Sequence, residues 1–579
     1  MHNKKLRPSG QKVCRPDNSR RRFAVLLVGF LVFAAAFVSY AAFVPSDSVN
    51  SPMGTARGIH PGRVTWAYDN RAATWNGSGY WWQGNNTNAT VVEAMVSNSV
   101  QWLTGETSDS LAWKALFAYY NNRHGKGNAG YAKGERIAVK LNCNQNSDAN
   151  FKNDSTYGNN HYAAPQLVRA LVRQLVNRAG VPDSLITFYD ATRFIPKTIY
   201  DSCHAEFPNV HFVAWAASGG CAGYVRDTTF TIHWSVNLTS DPNIAEIGGG
   251  NPTYLPTCVT KADYVINLGS FRAHNLAGVT FCAKNHYGSL CASRDGVPYL
   301  SAPKAAGVHP FCAVKDYSWG AEWTFKGRAM GTYNTLVDLM GHRHLGEKTL
   351  LFLLDGLYVA ADQSTAVNTQ YKFKNPPFNG GWPCSIFASQ DGVALESVAL
   401  DFMRSEAATF TNVDGNLDNY LHEASRADNP PSGTVYSPDG AGTRLTSLGV
   451  HEHWNNATDR KYSRNLSSER TGIELVSSQP SAVSSSVVQK ASLPGLKIVH
   501  YPSRTEFILG KAFFNASVSI YNSSGSLVRH YSQNEMTSSS ARFVWDHRSS
   551  NGSLVAPGIY TVRATAARGQ VSGLTMLVQ

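Results

Sequence analysis

The sequence lacks the short motifs that mark several common enzyme classes. It contains no G-x-S-x-G, no H-E-x-x-H and no P-loop, which argues against the usual serine hydrolase, zinc metalloprotease and P-loop nucleotide-binding interpretations. It also contains no C-x-x-C pair, so neither a zinc ribbon nor a ferredoxin-type cluster is supported. Function must therefore be inferred from how polar residues are arranged within a folded domain.

Charged residues are also scarce, at 16% of the 579 residues, against 43% hydrophobic residues. These are the values of a globular chain, and the length predicts two to four domains. Residues 1–23 contain eight Lys or Arg and one Asp, a net charge of +7 out of the chain's +12, which leaves +5 for the remainder. Because no basic stripe interleaves with aromatic residues, we do not expect a nucleic-acid partner.

The first 44 residues have the composition of an export signal. The basic stretch is followed by the apolar run Phe23–Val44, and Ser39-Tyr40-Ala41 places small residues where a signal peptidase cleaves. The segment S-R-R-R-F, residues 19–23, resembles the twin-arginine signal, in which Arg20 and Arg21 would contact the export machinery. A general secretory signal or an uncleaved membrane anchor is the alternative, since about 20 apolar residues can span a bilayer. The sequence therefore predicts an exported protein that is periplasmic, at the cell surface or secreted.

Eight cysteines lie beyond the leader, and their even number permits disulfides in an oxidising compartment. Their spacing does not reveal a pairing. They are Cys143, Cys203, Cys221, Cys258, Cys282, Cys291, Cys312 and Cys384.

Composition divides the rest of the chain into four parts. Residues 45–57 read as a flexible tether, and residues 58–475 as one large domain. Residues 476–494 are Ser-rich without periodicity, which indicates a linker. Residues 495–579 form a final small module.

The large domain alternates strand-like and helix-like segments. Apolar runs at 135–142, 184–190, 262–268 and 348–355 lack the alternation of half-exposed strands. Pro165–Arg178 instead repeats Leu every four residues, which is one apolar face of a helix. Buried strands separated by amphipathic helices indicate an α/β fold with a largely parallel sheet.

The final module shows short alternating strands with turn signals, which predicts a small all-β sandwich. The motifs V-S-I-Y-N, W-D, N-G and G-I-Y-T resemble the flagellar hook-capping type of Ig-like domain and type IX secretion sorting domains. The resemblance implies attachment to the cell surface or envelope, or a structural spacer.

Polar residues follow the predicted strands at their carboxyl ends. In a parallel sheet these ends share one edge, where such folds bind ligands. Any single one of them could instead cap the following helix. Lys140 is the exception, because a buried ammonium needs a carboxylate partner or an anionic ligand. The residues are Lys140, Asn142, Asp190, Asn267 and Asp355.

The segment 267–288, N-L-G-S-F-R-A-H-N-L-A-G-V-T-F-C-A-K-N-H-Y-G, holds the densest set of polar side chains. His and Lys together can transfer protons or hold an anion, and Gly278 and Gly288 permit close backbone approach. A solvated basic loop is the alternative. The candidates in this segment are Arg272, His274, Thr280, Lys284 and Asn285.

The stretch from Gly58 to about Glu474 resembles the family called domain of unknown function 362. The resemblance implies the α/β fold but no reaction, since the family's function is not established. The motifs that carry it include GIHPGRVTWAYD (58–69), GERIAVKLN (134–142), YDATR (189–193), HNLAGVTFCAKNHYGS (274–289), LVDLMGHRHLGEKTLLFLLDGLY (336–358), ASQDGVALESVALDFM (388–403) and GVHEHWNN (449–456).

His274-Asn-Leu-Ala-Gly278 followed by Lys284 is also similar to a segment of the nickel-pincer lactate racemases. That likeness implies that Lys284 binds a cofactor or anion and that His274 acts in acid–base chemistry. The chain has Phe281-Cys282-Ala283 where the racemases have a glycine-rich approach. The sequence itself names no cofactor.

Two further groups invite a structural interpretation. Asp391 precedes the helix predicted at Val393–Met403 and would either cap it or face the cleft. His451 and His453 form H-x-H, which chelates metal when both side chains point one way. With no carboxylate or third histidine identified nearby, we predict no metal site there.

Two hypotheses follow. In the first, the large domain is an enzyme or cofactor protein that binds a small anionic ligand, with His274, Lys284 and Asp190 as catalytic candidates. In the second, the chain is a non-catalytic surface protein displayed through its C-terminal module. The tryptophans Trp75, Trp81 and Trp82 would then suit a carbohydrate-facing surface.

Overall fold

The computed structural model describes residues 47–145, 158–238, 253–291, 308–319 and 323–477, and most of 496–577. The leader and residues 478–494 of the linker lie outside the described residues. Among the helices that are described, none is long and apolar enough to cross a membrane. The chain divides into two compact units, residues 1–479 and 480–579.

The larger unit contains fifteen strands among its described residues. They are β1 Met53–Gly54, β2 Arg63–Tyr68, β3 Ile137–Lys140, β4 Ile186–Tyr189, β5 His211–Ala214, β6 Ala222–Gly223, β7 Tyr264–Ser270, β8 Ala273–His274, β9 Gly278–Val279, β10 Tyr317–Trp319, β11 Trp323–Phe325, β12 Thr349–Gly356, β13 Ser385–Ser389, β14 Val450–His451 and β15 Glu474–Ser477.

Its described α-helices lie between these strands. They are α1 Ala89–Thr104, α2 Asp109–Arg123, α3 Pro165–Asn177, α4 Lys197–His204, α5 Thr257–Thr260, α6 Cys282–Asn285, α7 Thr335–Gly341, α8 Gly392–Arg404, α9 Asn419–Ser425 and α10 Ser463–Leu466.

Nine strands form one sheet in the order β15-β2-β13-β12-β7-β3-β4-β5-β6. All neighbouring pairs are parallel except those of β13, which runs antiparallel to both β12 and β2. The predicted α/β fold with a largely parallel sheet is therefore confirmed. From β3 the chain adds β4, β5 and β6 on one side and then returns to place β7 on the other. The boundary between β3 and β7 is thus a topological switch point, where open α/β sheets bind their ligands.

The buried strands and amphipathic helices account for this layering. Every residue of β7 is buried, so both faces of the sheet centre are covered. In α3 the apolar face predicted from the Leu repeat is buried, including Leu167, Leu171 and Leu175. Pro165 occupies the first helical turn, where the missing N–H costs nothing. Gly180, at φ 76°, turns the chain after the helix.

Two expectations for the large unit need correction. The described part of the predicted tether, residues 47–57, is part of the fold, because β1 pairs antiparallel with β14. The carbohydrate-facing surface is also wrong for Trp75 and Trp81, which are buried in the core beside Trp382 and Tyr358.

All eight described cysteines are free thiols. A G-x-G-x-x-G match at Gly125–Gly130 follows helix α2 instead of a strand, so it lacks dinucleotide-binding context.

The smaller unit is the predicted β-sandwich. One antiparallel sheet has the order β16-β17-β20 and the other β19-β18-β21-β22. Alternating residues from both sheets form one core that includes Phe507, Val518, Phe543, Trp545 and Val562. The strands are β16 Leu496–Tyr501, β17 Arg504–Leu509, β18 Ser517–Tyr521, β19 Leu527–Tyr531, β20 Arg542–Trp545, β21 Gly558–Ala566 and β22 Gly569–Leu577.

Candidate functional site at the carboxyl edge of the sheet

A cavity of about 650 Å³ opens at the carboxyl ends of β3 and β4. Its walls are completed by the chain that follows β7, so it lies at the switch point between β3 and β7. Seven of the predicted site residues share this one cavity. They are Lys140, Asn142, Asp190, His274, Thr280, Lys284 and Asn285.

Lys140, the last residue of β3, has the carboxylate partner that its burial requires. Its Nζ lies 3.2 Å from Asp190 Oδ2 and 3.2 Å from Asn285 Oδ1, and it also donates to the carbonyl of Leu141. Asp190 Oδ2 further accepts from Cys143 N, while its Oδ1 accepts from the backbone and hydroxyl of Thr192. Both carboxylate oxygens are therefore saturated by donors from the protein.

Position 288 lies directly against this ion pair, and only glycine fits there. A Cβ at this position would come within 2.4 Å of Lys140 Nζ and 3.0 Å of Asp190 Oδ1. The carbonyl of Gly288 accepts from Ala191 N at 2.7 Å. The expectation that Gly288 permits close backbone approach is thus confirmed.

A chain of amides extends from Lys140 toward the sheet. Asn285 Nδ2 donates to Asn267 Oδ1 at 2.8 Å, and Asn267 Nδ2 lies 3.0 Å from His286 Nε2. Burial lowers the pKa of His286 to about 3, so this imidazole is neutral. Asn267 does not line the cavity but fixes Asn285, which does.

Lys284, in the short helix α6, is buried without an anionic partner. Within the described residues no carboxylate forms an ion pair with it. Its Nζ lies 3.3 Å from His309 Nε2 and 3.7 Å from the centre of the Tyr287 ring. Burial lowers the pKa of Lys284 to about 8, and nearby Arg193 and Lys140 act in the same direction. A lysine in this condition can donate or accept a proton near neutral pH.

His274, at the end of β8, is held in one tautomer. Its Nδ1 accepts from the backbone N–H groups of Leu276 and Ala277, at 3.1 and 3.2 Å. Burial and the nearby Lys284 lower the pKa of His274 well below its usual value. The ring is therefore neutral, with its proton on Nε2, and acts as a hydrogen-bond donor.

Arg272 is fully buried behind the cavity wall. Its Nη2 donates to Asn142 Oδ1 at 3.3 Å and its Nη1 to the carbonyl of His161 at 3.1 Å. Its Nε has no hydrogen-bond partner within the described residues. Burial lowers the pKa of Arg272 to about 10. Arg272 thus orients Asn142, which lines the cavity, and adds positive charge close to it.

Besides Asn267 and Arg272, two more predicted residues lie outside the cavity lining. Asp355 accepts from Ala164 N at 2.7 Å and Leu357 N at 3.1 Å, so it binds the start of α3. Asp391 caps α8 through Ala394 N and also accepts from Arg57 N. The cleft-facing alternative for Asp391 is wrong, because β13 runs antiparallel and delivers its carboxyl end to the opposite edge of the sheet.

Several lining residues were not expected. Arg193 and His309 line the cavity, as do the amides Asn144 and Gln363. Arg193 donates through Nε to Asn144 O at 2.6 Å. The motif Y-D-A-T-R, which follows β4, carries Arg193 three residues after Asp190, so it was within reach of sequence analysis. His309 begins a short 3-10 helix, His309–Cys312, and Gln363 lies in a turn, and neither has a local sequence signal that marks it as a site residue.

Cationic side chains outnumber carboxylates in the described lining of the cavity. Its described lining contains three cationic side chains, Lys140, Arg193 and Lys284, against one carboxylate, Asp190. Because Asp190 is already paired with Lys140, no carboxylate of the described lining balances the charge of Lys284. An anion entering the cavity would meet this charge in a partly desolvated site, where electrostatic attraction is strong.

Comparison with known proteins agrees with this architecture. Residues 137–401, which include the cavity-lining strands, match the model of the family described as domain of unknown function 362. This part of the chain is therefore similar to that family. Residues 502–570 match the FlgD Ig-like domain. The resemblances to the domain of unknown function 362 family and to the hook-capping Ig-like domain are confirmed, although the match to the former is shorter than the predicted range of 58–475.

No curated protein matches the chain. Two solved structures from Porphyromonas gingivalis resemble a small part of it. PorZ, a surface component of the type IX secretion system, has a TM-score of 0.13 at 19% identity and covers 15% of this chain and 12% of PorZ. Dimeric latent PorU has a TM-score of 0.12 at 18% identity and covers 15% of this chain and 10% of PorU. The likeness to lactate racemases is not tested by these matches and stays a prediction.

Proposed function

We propose that the large domain is an enzyme or cofactor protein that binds a small anionic ligand, such as a carboxylate or phosphate, in the cavity between β3 and β7. The observation that carries the proposal is Lys284, which lines the cavity at a topological switch point and is buried there with no carboxylate partner among the described residues. Such a lysine does not help the core to fold, since burying an ammonium group without a partner lowers the stability of the protein.

The contacts divide the residues into roles. Asp190, with both oxygens occupied, holds Lys140 in position and is poorly placed to accept a proton. Lys284, with its pKa near 8, is the group that would exchange a proton or neutralise the ligand. His274 would donate a hydrogen bond through Nε2, and Asn142 and Asn285 would fix the ligand's orientation.

Calorimetric titration of the full-length protein tests this proposal. The probes are inorganic phosphate, oxalate and lactate, each titrated into wild type and into Lys284→Ala. We expect one molecule of at least one probe to bind per chain, and the affinity to fall at least about tenfold in the variant, as for the loss of one charge-assisted contact. The melting temperature should change by only a few degrees.

Lys348→Met is the matched control. Lys348 is also buried with its pKa lowered to about 8, but it lies outside the cavity lining. The control should bind the probe as wild type does. No binding of any probe, or equal binding by wild type and Lys284→Ala, would contradict the proposal.

Export and surface attachment belong to the same proposal. The basic and apolar leader supports export, and the Ig-like module supports attachment to the envelope or cell surface. These features also fit the second candidate, a non-catalytic surface protein displayed through the module. That candidate predicts that none of the three probes binds in the cavity, so the calorimetric titration distinguishes the two candidates.

A further inference from the structure

A second cluster of polar side chains lies away from the cavity, where the N-terminal segment packs on the large unit. It consists of Asp47, His422, His451 and His453, and we call it the His–Asp cluster. His451 ends β14, and β14 pairs with β1, with Met53 opposite His451. Asn50 N also donates to the carbonyl of His453 at 2.9 Å. This pairing carries Asp47 to the histidines.

Three imidazole nitrogens surround one carboxylate oxygen. Asp47 Oδ2 lies 2.5 Å from His422 Nε2, 3.6 Å from His451 Nε2 and 4.0 Å from His453 Nε2. Both His451 and His453 are fully buried, at 0% and 1% exposed. Their Nε2 atoms have no hydrogen-bond partner within the described residues. Two buried, unpartnered nitrogens that converge on a carboxylate are costly unless something else binds them.

The other ring nitrogen of His451 and of His453, Nδ1, carries the proton, which is the tautomer that metal binding through Nε2 requires. Ser397 Oγ donates to Val393 O and lies 2.8 Å from His451 Nδ1, so it accepts the Nδ1 proton of His451. Asp401 Oδ1 lies 2.7 Å from His453 Nδ1 and accepts likewise. Each ring then presents the Nε2 lone pair to the cluster. A carboxylate behind a histidine is the usual outer partner of a histidine that binds metal.

The outer carboxylate is itself held in place. Asp401 Oδ2 accepts from Trp454 N at 3.0 Å and from the Tyr462 hydroxyl at 2.9 Å. Beside His453, Asp418 is fixed by both Nη atoms of Arg404 and leaves its Oδ1 3.6 Å from His453 Nε2. Asp401 thus supports His453 on the side away from Asp47, while Asp418 lies near the same Nε2 atom that faces Asp47.

We propose that Asp47, His422, His451 and His453 bind a divalent transition-metal ion such as Zn²⁺. Zinc binds imidazole nitrogen and carboxylate oxygen at about 2.0–2.2 Å in a tetrahedron, which separates its ligand atoms by about 3.4 Å. The ligand atoms of Asp47, His451 and His453 all lie within 4.8 Å of one another. His422 is not part of that group of three, but its Nε2 lies 2.5 Å from Asp47 Oδ2, which makes it the candidate fourth ligand.

Four protein ligands make a closed site, which is the arrangement of structural zinc. The ion would join residue 47 to residues 422–453 and so fix the N-terminal segment to the large unit. Metal binding would then be measurable both as stoichiometry and as protection of that segment from proteases. Imidazole-rich sites also accept Co²⁺, Ni²⁺ and Cu²⁺, so Co²⁺ serves as a spectroscopic probe.

The test uses untagged full-length protein, stripped with a chelator and titrated with ZnCl₂ or CoCl₂. We expect one ion per chain by native mass spectrometry, and the visible absorption of four-coordinate Co²⁺. Asp47→Asn, which preserves size at a partly exposed position, should weaken Zn²⁺ binding at least tenfold. His453→Gln should do the same, with folding checked by circular dichroism. Zn²⁺ should slow cleavage near residue 47 in wild type alone.

His342→Gln is the matched control, because His342 is also fully buried, with an unpartnered Nε2 that lies 3.7 Å from Asp439. It belongs to no group of potential ligands among the described residues, so the variant should bind one Zn²⁺ as wild type does. If the stripped protein takes up neither ion, or if folded Asp47→Asn and His453→Gln bind as tightly as wild type, the proposal is wrong.

Discussion

Replacing Lys284 with methionine should stabilise the protein at neutral pH. Methionine approximates the volume of the lysine stem without its charge, and Lys284 has no carboxylate partner among the described residues to lose. Replacing a lysine that supports the fold would instead lower the stability of the protein. The direction of the stability change therefore separates a lysine retained for ligand binding from a structural one.

The expected size follows from the pKa of Lys284, which burial lowers from 10.5 to about 8. At 1.36 kcal/mol per unit, the charged form costs roughly 3 kcal/mol at pH 7. The contact of Nζ with the Tyr287 ring offsets about 0.5–2 kcal/mol of this cost. We therefore expect Lys284→Met to be about 1–3 kcal/mol more stable than wild type at pH 7.

The advantage should shrink as the pH rises. Between pH 8 and 10.5 the unfolded chain binds the Lys284 proton and the folded protein does not, so wild type gains stability as pH rises through this window. Near pH 10 most of the difference should be gone. Urea unfolding of the large unit at pH 7 and pH 10 measures both values.

Lys348→Met provides the contrast. Lys348 has a similarly lowered pKa, but its Nζ donates to the carbonyls of Val259, Thr260 and Ala262, at 3.1, 3.1 and 2.8 Å. Those carbonyls lie at the C-terminal end of α5 or just beyond it, where helix carbonyls lack intrahelical donors, so this variant should be less stable than wild type. If Lys284→Met is destabilised at pH 7 by as much as Lys348→Met, Lys284 is structural and the reasoning fails.

Two further predictions concern the ion pair and the leader. Asp190→Asn should cost about 3–5 kcal/mol in urea unfolding, because it leaves the Lys140 ammonium buried without a carboxylate; a loss below about 1 kcal/mol would mean that water solvates Lys140. Replacing Arg20 and Arg21 together by lysine should block export in the native host if the twin-arginine pathway is used, as cell fractionation would detect; unchanged export would point to a general secretory signal.

The strands of the sheet centre could be predicted because their own residues are almost all apolar, which indicates burial. Runs such as I-A-V-K-L-N and L-L-F-L-L-D are too apolar for exposed strands, and each ends in a polar residue. Parallel pairing then places these ends on one edge, which is why Lys140, Asp190 and Lys284 could be expected in one site. The direction of β13 has no such signal, since A-S-Q-D before a helix reads like another parallel unit. Asp391 was misplaced for that reason.

The His–Asp cluster marks the limit of local reasoning more clearly. The spacing of His451 and His453 is visible in sequence, but their carboxylate neighbour Asp47 lies 404 residues before His451 in the chain. The pairing of β1 with β14 brings them together, and β1 has only two residues and no distinctive pattern. A tether is the natural interpretation of such a segment, because its composition is that of a linker and the contacts that attach it to the fold, such as the pairing of β1 with β14, are long-range. If the proposed metal binds, the order of this segment is explained by ligation as well as by strand pairing. A small number of polar contacts would then hold it where hydrophobic burial alone does not.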